Sequence, residues 1–145
     1  MPGERRKLYW DACVFLSYIE EVDERMPILD SLLADSALTY GDIEIVTSML
    51  TVAEVAFAPF EKANKVLDPD IEKKIEGLWI PGGAVRLIEF HYSLAEGARD
   101  LVRMAVFNGW RLKPPDAIHL ASAKAMGVEE FHTYNLNELQ KFATT

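Results

Sequence analysis

The sequence predicts an α/β domain, with a small central parallel sheet and helices packed on both faces. Three observations carry that expectation. Short apolar runs alternate with longer segments of helical spacing, which is the pattern of strands joined by helical crossovers. The 145 residues hold no internal repeat, low-complexity tract or linker, so residues 1–145 are expected to form one domain with a core of its own. Acidic residues recur where the apolar runs give way to helices, and ligands of parallel sheets gather at the carboxyl ends of the strands.

Each element has a local cause. Lys7–Trp10 reads as a short buried strand, followed by helical stretches at Val14–Ile19 and Pro27–Ser36. In the second, Ile28, Leu29, Leu32 and Leu33 recur at helical spacing. Gly41-Asp42 turns the chain into a second strand, Ile45–Leu50. Thr51 opens a helix that Pro59 interrupts, and Asp68-Pro69 starts another that runs to about Glu76. After the loop Pro81-Gly82-Gly83, Ala84–Phe90 is a third strand. Leu94, Ala98, Leu101, Val102 and Ala105 form the apolar face of a long helix ending near Asn108-Gly109. Pro114-Pro115 precedes a helix through about Met126 that Gly127 stops, and Glu130–Tyr134 is a last short strand.

Composition narrows the function classes. No apolar run approaches the roughly 18–20 residues of a membrane span, and no apolar stretch follows the basic start Arg5-Arg6-Lys7. A membrane protein or a signal peptide is therefore not expected. Cys13 is the only cysteine, which excludes a disulfide framework and a cysteine-rich zinc site, and the expected compartment is a reducing cytoplasm. The net charge of −8 argues against tight non-specific nucleic-acid binding. The excess is uneven. Residues 1–72 hold 6 Lys and Arg against 15 Asp and Glu, whereas residues 73–145 hold 9 against 8, leaving room for a local basic surface.

Three carboxylates stand out. Asp11 ends the strand Leu8-Tyr9-Trp10 inside an otherwise apolar block, where an acid is costly unless it is paired or ligating; its ordinary alternative is to cap the next helix. Glu54 closes Thr51-Val52-Ala53-Glu54, which equally matches a capping box. Asp116 follows Pro114-Pro115 and could simply complement a helix dipole. Three oxygen donors widely separated in sequence are what a Mg²⁺ or Mn²⁺ site requires. His119 shares a helix face with Asp116 and is expected to be a hydrogen-bonded neighbour rather than a base or ligand. Cys13 is expected to pack rather than attack. Arg99 and Arg103, interleaved with Glu96 and Asp100, read as a solvated face with internal ion pairs. Arg111 and Lys113, just ahead of Asp116, are the better candidates for gripping phosphate.

With these residues placed, the chain resembles the PIN-domain ribonucleases, including toxins of the VapC type, over nearly its whole length. The likeness rests on Tyr9-Trp10-Asp11-Ala12-Cys13-Val14-Phe15-Leu16, on the Thr51–Glu54 helix start, and on Asp116-Ala117-Ile118-His119-Leu120-Ala121-Ser122-Ala123 followed by a glycine and a strand leading into Thr133. The resemblance implies a three-layer α/β/α PIN-like fold and hydrolysis of RNA phosphodiesters with Mg²⁺ or Mn²⁺. Asp11, Glu54 and Asp116 would be catalytic metal ligands and Thr133 a support for the site. It also implies a small antitoxin partner and a homodimer. One position departs from the family's Thr-x-Asp pattern: Thr133-Tyr134-Asn135 puts an uncharged amide where the fourth acid would stand. Asn135 could still coordinate a hard cation, but with weaker binding of a second metal and a reliance on Mn²⁺. It also supports a competing reading, a non-catalytic PIN domain that binds RNA or protein. A haloacid-type phosphatase is disfavoured because the position two after Asp11 is Cys13, and a receiver domain because no adjacent acid pair follows strand one.

Overall fold

The computed structural model describes residues 5–38 and 40–134, and within them the expected α/β alternation is present. The elements run β1 (Arg6–Trp10), α1 (Ala12–Glu20), α2 (Met26–Ala37), β2 (Ile43–Ser48), α3 (Leu50–Glu54), α4 (Pro59–Asn64), α5 (Pro69–Leu78), β3 (Val85–Ile88), α6 (Tyr92–Asn108), α7 (Pro114–Met126) and β4 (Glu130–His132). The four strands form one sheet in the order β3-β2-β1-β4, every pair parallel. No helix among the described residues is long and apolar enough to cross a membrane.

Parallel pairing places β1 at the centre with helices over both faces, so its residues alternate between two cores. Leu8 and Trp10 face one side, where they meet Val14, Phe15 and Ile19 of α1, Leu29 and Leu33 of α2, and Leu78 of α5. Tyr9 faces the other, with Val46, Ala123 of α7 and Phe131 of β4. The α6 helix lies against α7 through Ala98, Ala105, Ala117 and Ala121, small side chains that let the two helices approach. These are the three layers expected of the fold.

Helix ends follow the punctuation of the sequence. Gly109 and Gly127 adopt positive φ and donate their N–H groups to the last-turn carbonyls of α6 and α7. The Asp68 carboxylate caps α5 by accepting from the Asp70 amide at 2.8 Å. Gly41 is required by closeness, because a Cβ there would lie 2.1 Å from the Asp35 carbonyl oxygen.

Two expectations need adjustment. The strand bounds move: β2 lies two residues earlier than expected, at Ile43–Ser48, β3 covers only Val85–Ile88, and β4 ends at His132. The helix after β2 ends at Glu54, before Pro59, which instead opens α4 at the position where a missing N–H costs nothing. There the buried Glu61 carboxylate accepts from the Ala58 amide at 2.8 Å and the Asp68 amide at 2.7 Å, so two short helices and their linker share one acid.

Two outcomes follow from this packing. Phe15 is fully buried and lies edge-on to both Trp10 and Trp79, with centroids 5.1 and 5.2 Å away. Phe15→Ala should destabilise the protein by about 3–5 kcal/mol in urea unfolding. His132 accepts the Trp10 indole N–H on Nδ1 at 3.1 Å, which requires an unprotonated nitrogen there. Burial, aided by Arg6, lowers its pKa below the ordinary 6.5 despite the neighbouring Glu130 carboxylate. Below pH 6.5 the unfolded chain takes up a proton that the fold resists, so stability should fall as the pH drops. In His132→Asn, unfolding midpoints measured at pH 7.5 and 5.5 should differ less than in the wild type.

Candidate active site

The site is built where the two central strands end. Asp11 immediately follows β1 in extended backbone, and its side chain is 6% exposed. Its carboxylate makes no capping bond to α1. Instead it accepts the Cys13 thiol at 2.8 Å, so the capping alternative for Asp11 is set aside.

Glu54 is the last residue of α3, beyond the end of β2, and the capping-box alternative does not hold there either. Leu50 precedes Thr51 in the helix, and the fully buried Thr51 hydroxyl is 2.6 Å from Thr47 Oγ1 rather than on a backbone amide. The Glu54 carboxylate turns to α7, where Oε1 lies 2.5 Å from His119 Nε2. His119 is 2% exposed, and its Nδ1 is 2.6 Å from the Tyr9 hydroxyl. The Ser48 amide donates to that same hydroxyl at 3.1 Å. With its proton on Nε2, His119 satisfies the chain throughout: Ser48 N–H donates to Tyr9, the Tyr9 O–H to Nδ1, and Nε2–H to Glu54. Burial raises the Tyr9 phenol well above its ordinary 10, and the negative charges of Asp11 and Glu54 push it in the same direction.

Asp116 is half-buried in the first turn of α7, one turn ahead of His119 and at the positive end of that helix. Thr133 follows β4, with its hydroxyl 3.5 Å from Cys13 Sγ, and the Tyr134 amide donates to that sulfur at 3.1 Å. Cys13 therefore ties Asp11 to the Thr133 segment. Asn135 lies outside the described residues. Arg111 and Lys113 are exposed on the segment leading into α7, and Arg99 pairs with its neighbour Asp100 at 3.6 Å, as its solvated face suggested.

The donors offered by Asp11, Glu54 and Asp116 are hard carboxylate oxygens, which suit Mg²⁺ or Mn²⁺. His119 spends both ring nitrogens within the protein and the Cys13 sulfur is engaged with Asp11, so neither competes as a softer ligand. Among the described residues no three His, Cys, Asp or Glu side chains are drawn close enough to hold a metal ion. The fit therefore lies in the chemistry and location of the donors, with closure left to the ligand. Tyr9, Thr47 and Ser48 are not among the site residues the sequence points to. Their signal was the run of hydroxyl groups Thr47-Ser48 at the end of a buried strand, one position beyond the Tyr9–Val46 register pair.

An α/β domain whose acids collect just past the central strands of a parallel sheet defines the class. The sequence matches the PIN domain family over residues 8–143, and the chain belongs to that family. Solved structures agree on the fold. VapBC2 from Rickettsia felis, bound to a promoter DNA fragment, superposes with a TM-score of 0.67 at 14% identity, covering 93% of this chain and 92% of that one. Mycobacterium tuberculosis VapC20, described as a Sarcin-Ricin loop cleaving toxin, gives 0.64 at 13% identity over 92% and 94%. FitAcB from Neisseria gonorrhoeae gives 0.65 at 21% identity over 92% and 91%. Among curated proteins none matches this sequence.

The Cys13 thiol is pushed up from 9.0 to about 11, by burial first and then by the Asp11 charge and hydrogen bond. At pH 8 it should hold about a hundredfold less thiolate than an ordinary cysteine, and iodoacetamide should label it correspondingly slowly until the pH approaches 11. The fold retains this proton, so the thiol's contribution to stability is present below pH 9 and is lost as the pH rises through about 11. Labelling at pH 8 as fast as in the unfolded chain would contradict the contact with Asp11.

Proposed function

We propose that this protein is a metal-dependent endoribonuclease that hydrolyses RNA phosphodiester bonds, acting as the toxin of a toxin–antitoxin pair. The observation that carries the reading is that Asp11 directly follows β1 and Glu54 follows β2 on α3, with Asp116 a single turn from the histidine that holds Glu54. Family membership and the VapC structures of like fold support it.

Asp11, Glu54 and Asp116 would hold Mg²⁺ or Mn²⁺, with Asn135 as a neutral fourth ligand. Bound there, the cation supplies an activated water and Lewis-acid stabilisation of charge at the scissile phosphate. The protein's own part is positioning. Asp11 is oriented by Cys13, Thr133 braces the same corner, and the positive end of α7 favours anionic groups beside Asp116. Arg111 and Lys113, exposed at the approach, would hold phosphates flanking the cut. A small antitoxin partner is supported by the neighbours solved as toxin–antitoxin assemblies, among them one from Klebsiella pneumoniae. A homodimer and a cytoplasmic location complete the proposal. Asn135 in place of an acid favours a second reading, a PIN domain that binds RNA or protein without cutting it.

The test is cleavage of a mixed single-stranded RNA pool with Mn²⁺, Mg²⁺ or EDTA. The wild type should cut with either metal, better with Mn²⁺, and not in EDTA. Asp116→Asn should lose about a hundredfold or more of the rate while folding normally. Folded wild-type protein that cuts with neither metal would move the assignment to the binding module.

A further inference from the structure

We propose that Tyr9 and His119 are positioning residues that aim the Glu54 carboxylate, an inference that rests on the nuclease reading above. Glu54 needs such help. It ends a helix of only five residues, is followed by the non-helical segment 55–58, and its side chain is 28% exposed. A glutamate so placed has three rotatable bonds whose settings must be fixed. Most of its rotamer freedom would be lost on meeting a ligand unless it were removed beforehand.

The structure removes it from below. His119 comes from the middle of α7 and Tyr9 from β1, and both are buried, at 2% and 0% exposure. Their positions are set by the sheet, since the phenol ring stacks on Phe131 of β4 with centroids 5.1 Å apart. The Tyr9 hydroxyl is fixed in turn by the Ser48 amide at the end of β2. Three elements far apart in sequence thus converge on one imidazole, whose Nε2–H reaches Glu54 Oε1 at 2.5 Å. The contact occupies one carboxylate oxygen, and a carboxylate has a second for a ligand. At many metal centres a carboxylate orients a ligating histidine; here the roles are exchanged, and a histidine orients the ligating acid.

A histidine that merely filled the core would give the same burial, so the test separates the two roles. Asparagine at 119 can place its amide oxygen where Nδ1 receives the Tyr9 hydroxyl, but cannot reach Glu54. Glutamine can place its amide nitrogen near the Nε2 position and restore the donor. Wild type, His119→Asn, His119→Gln and Tyr9→Phe are compared for Mn²⁺ affinity by isothermal titration calorimetry without RNA. Their thermal unfolding midpoints and their kcat and KM on RNA are measured alongside. His119→Asn should weaken Mn²⁺ binding by about ten- to a hundredfold, with the KM for RNA unchanged, and His119→Gln should recover most of the affinity. Tyr9→Phe, which removes only the hydroxyl, should shift the affinity in the same direction and decides the matter if His119→Asn does not fold. Variants that bind Mn²⁺ as the wild type does, with only lowered unfolding midpoints, would overturn the positioning role and leave the nuclease reading intact. Folded wild-type protein that neither binds Mn²⁺ nor cuts RNA would remove both.

Discussion

Burial of the Tyr9 hydroxyl at the centre of the sheet is the constraint from which the site follows. β1 is covered on both faces, so a polar atom on it must find partners inside the protein or cost roughly 1–3 kcal/mol or more. The partners it finds belong to β2 and α7, the two elements that flank the carboxylates. That hydroxyl therefore ties α7 to the centre of the sheet. His119 is thereby brought against Glu54, and Asp116 is placed one turn nearer the strand ends. A polar requirement of the core and the geometry of the acidic site are one set of bonds.

Asp11 shows the same economy just past the end of β1. An acid at 6% exposure is an unfavourable thing to fold, yet its position leaves it engaged with a thiol that burial keeps protonated. The sulfur also receives the Tyr134 amide, so the segment leaving β4 is tied to the segment leaving β1.

Much of the fold was legible because its causes are local. Gly109 and Gly127 stop helices by the positive φ that glycine allows, Pro114 opens one, and the apolar stripe from Leu94 to Ala105 faces its neighbour at helical spacing. The acids were legible as costly residues in apolar surroundings. What could not be read is what they touch. Tyr9 and His119 are 110 residues apart and His119 and Glu54 are 65 apart, distances at which periodicity carries no information. The Thr51–Glu54 pattern misled for a related reason. A capping box presumes that the threonine begins the helix, whereas Leu50 precedes it and the Thr47 hydroxyl claims its side chain. Strand ends shifted because β2 and β3 pair only over Ile45–Ser48 with Val85–Ile88, and the apolar residues beyond have no partner strand to extend the ladder.

Whether these acids form a cation site is read from a crystal structure grown with Mn²⁺ and phased on its anomalous scattering. A manganese peak is expected in bonding contact with carboxylate oxygens of Asp11, Glu54 and Asp116, with the His119–Glu54 contact retained. Well-ordered crystals at millimolar Mn²⁺ with no peak at that corner, or with one bound only elsewhere on the surface, would contradict it.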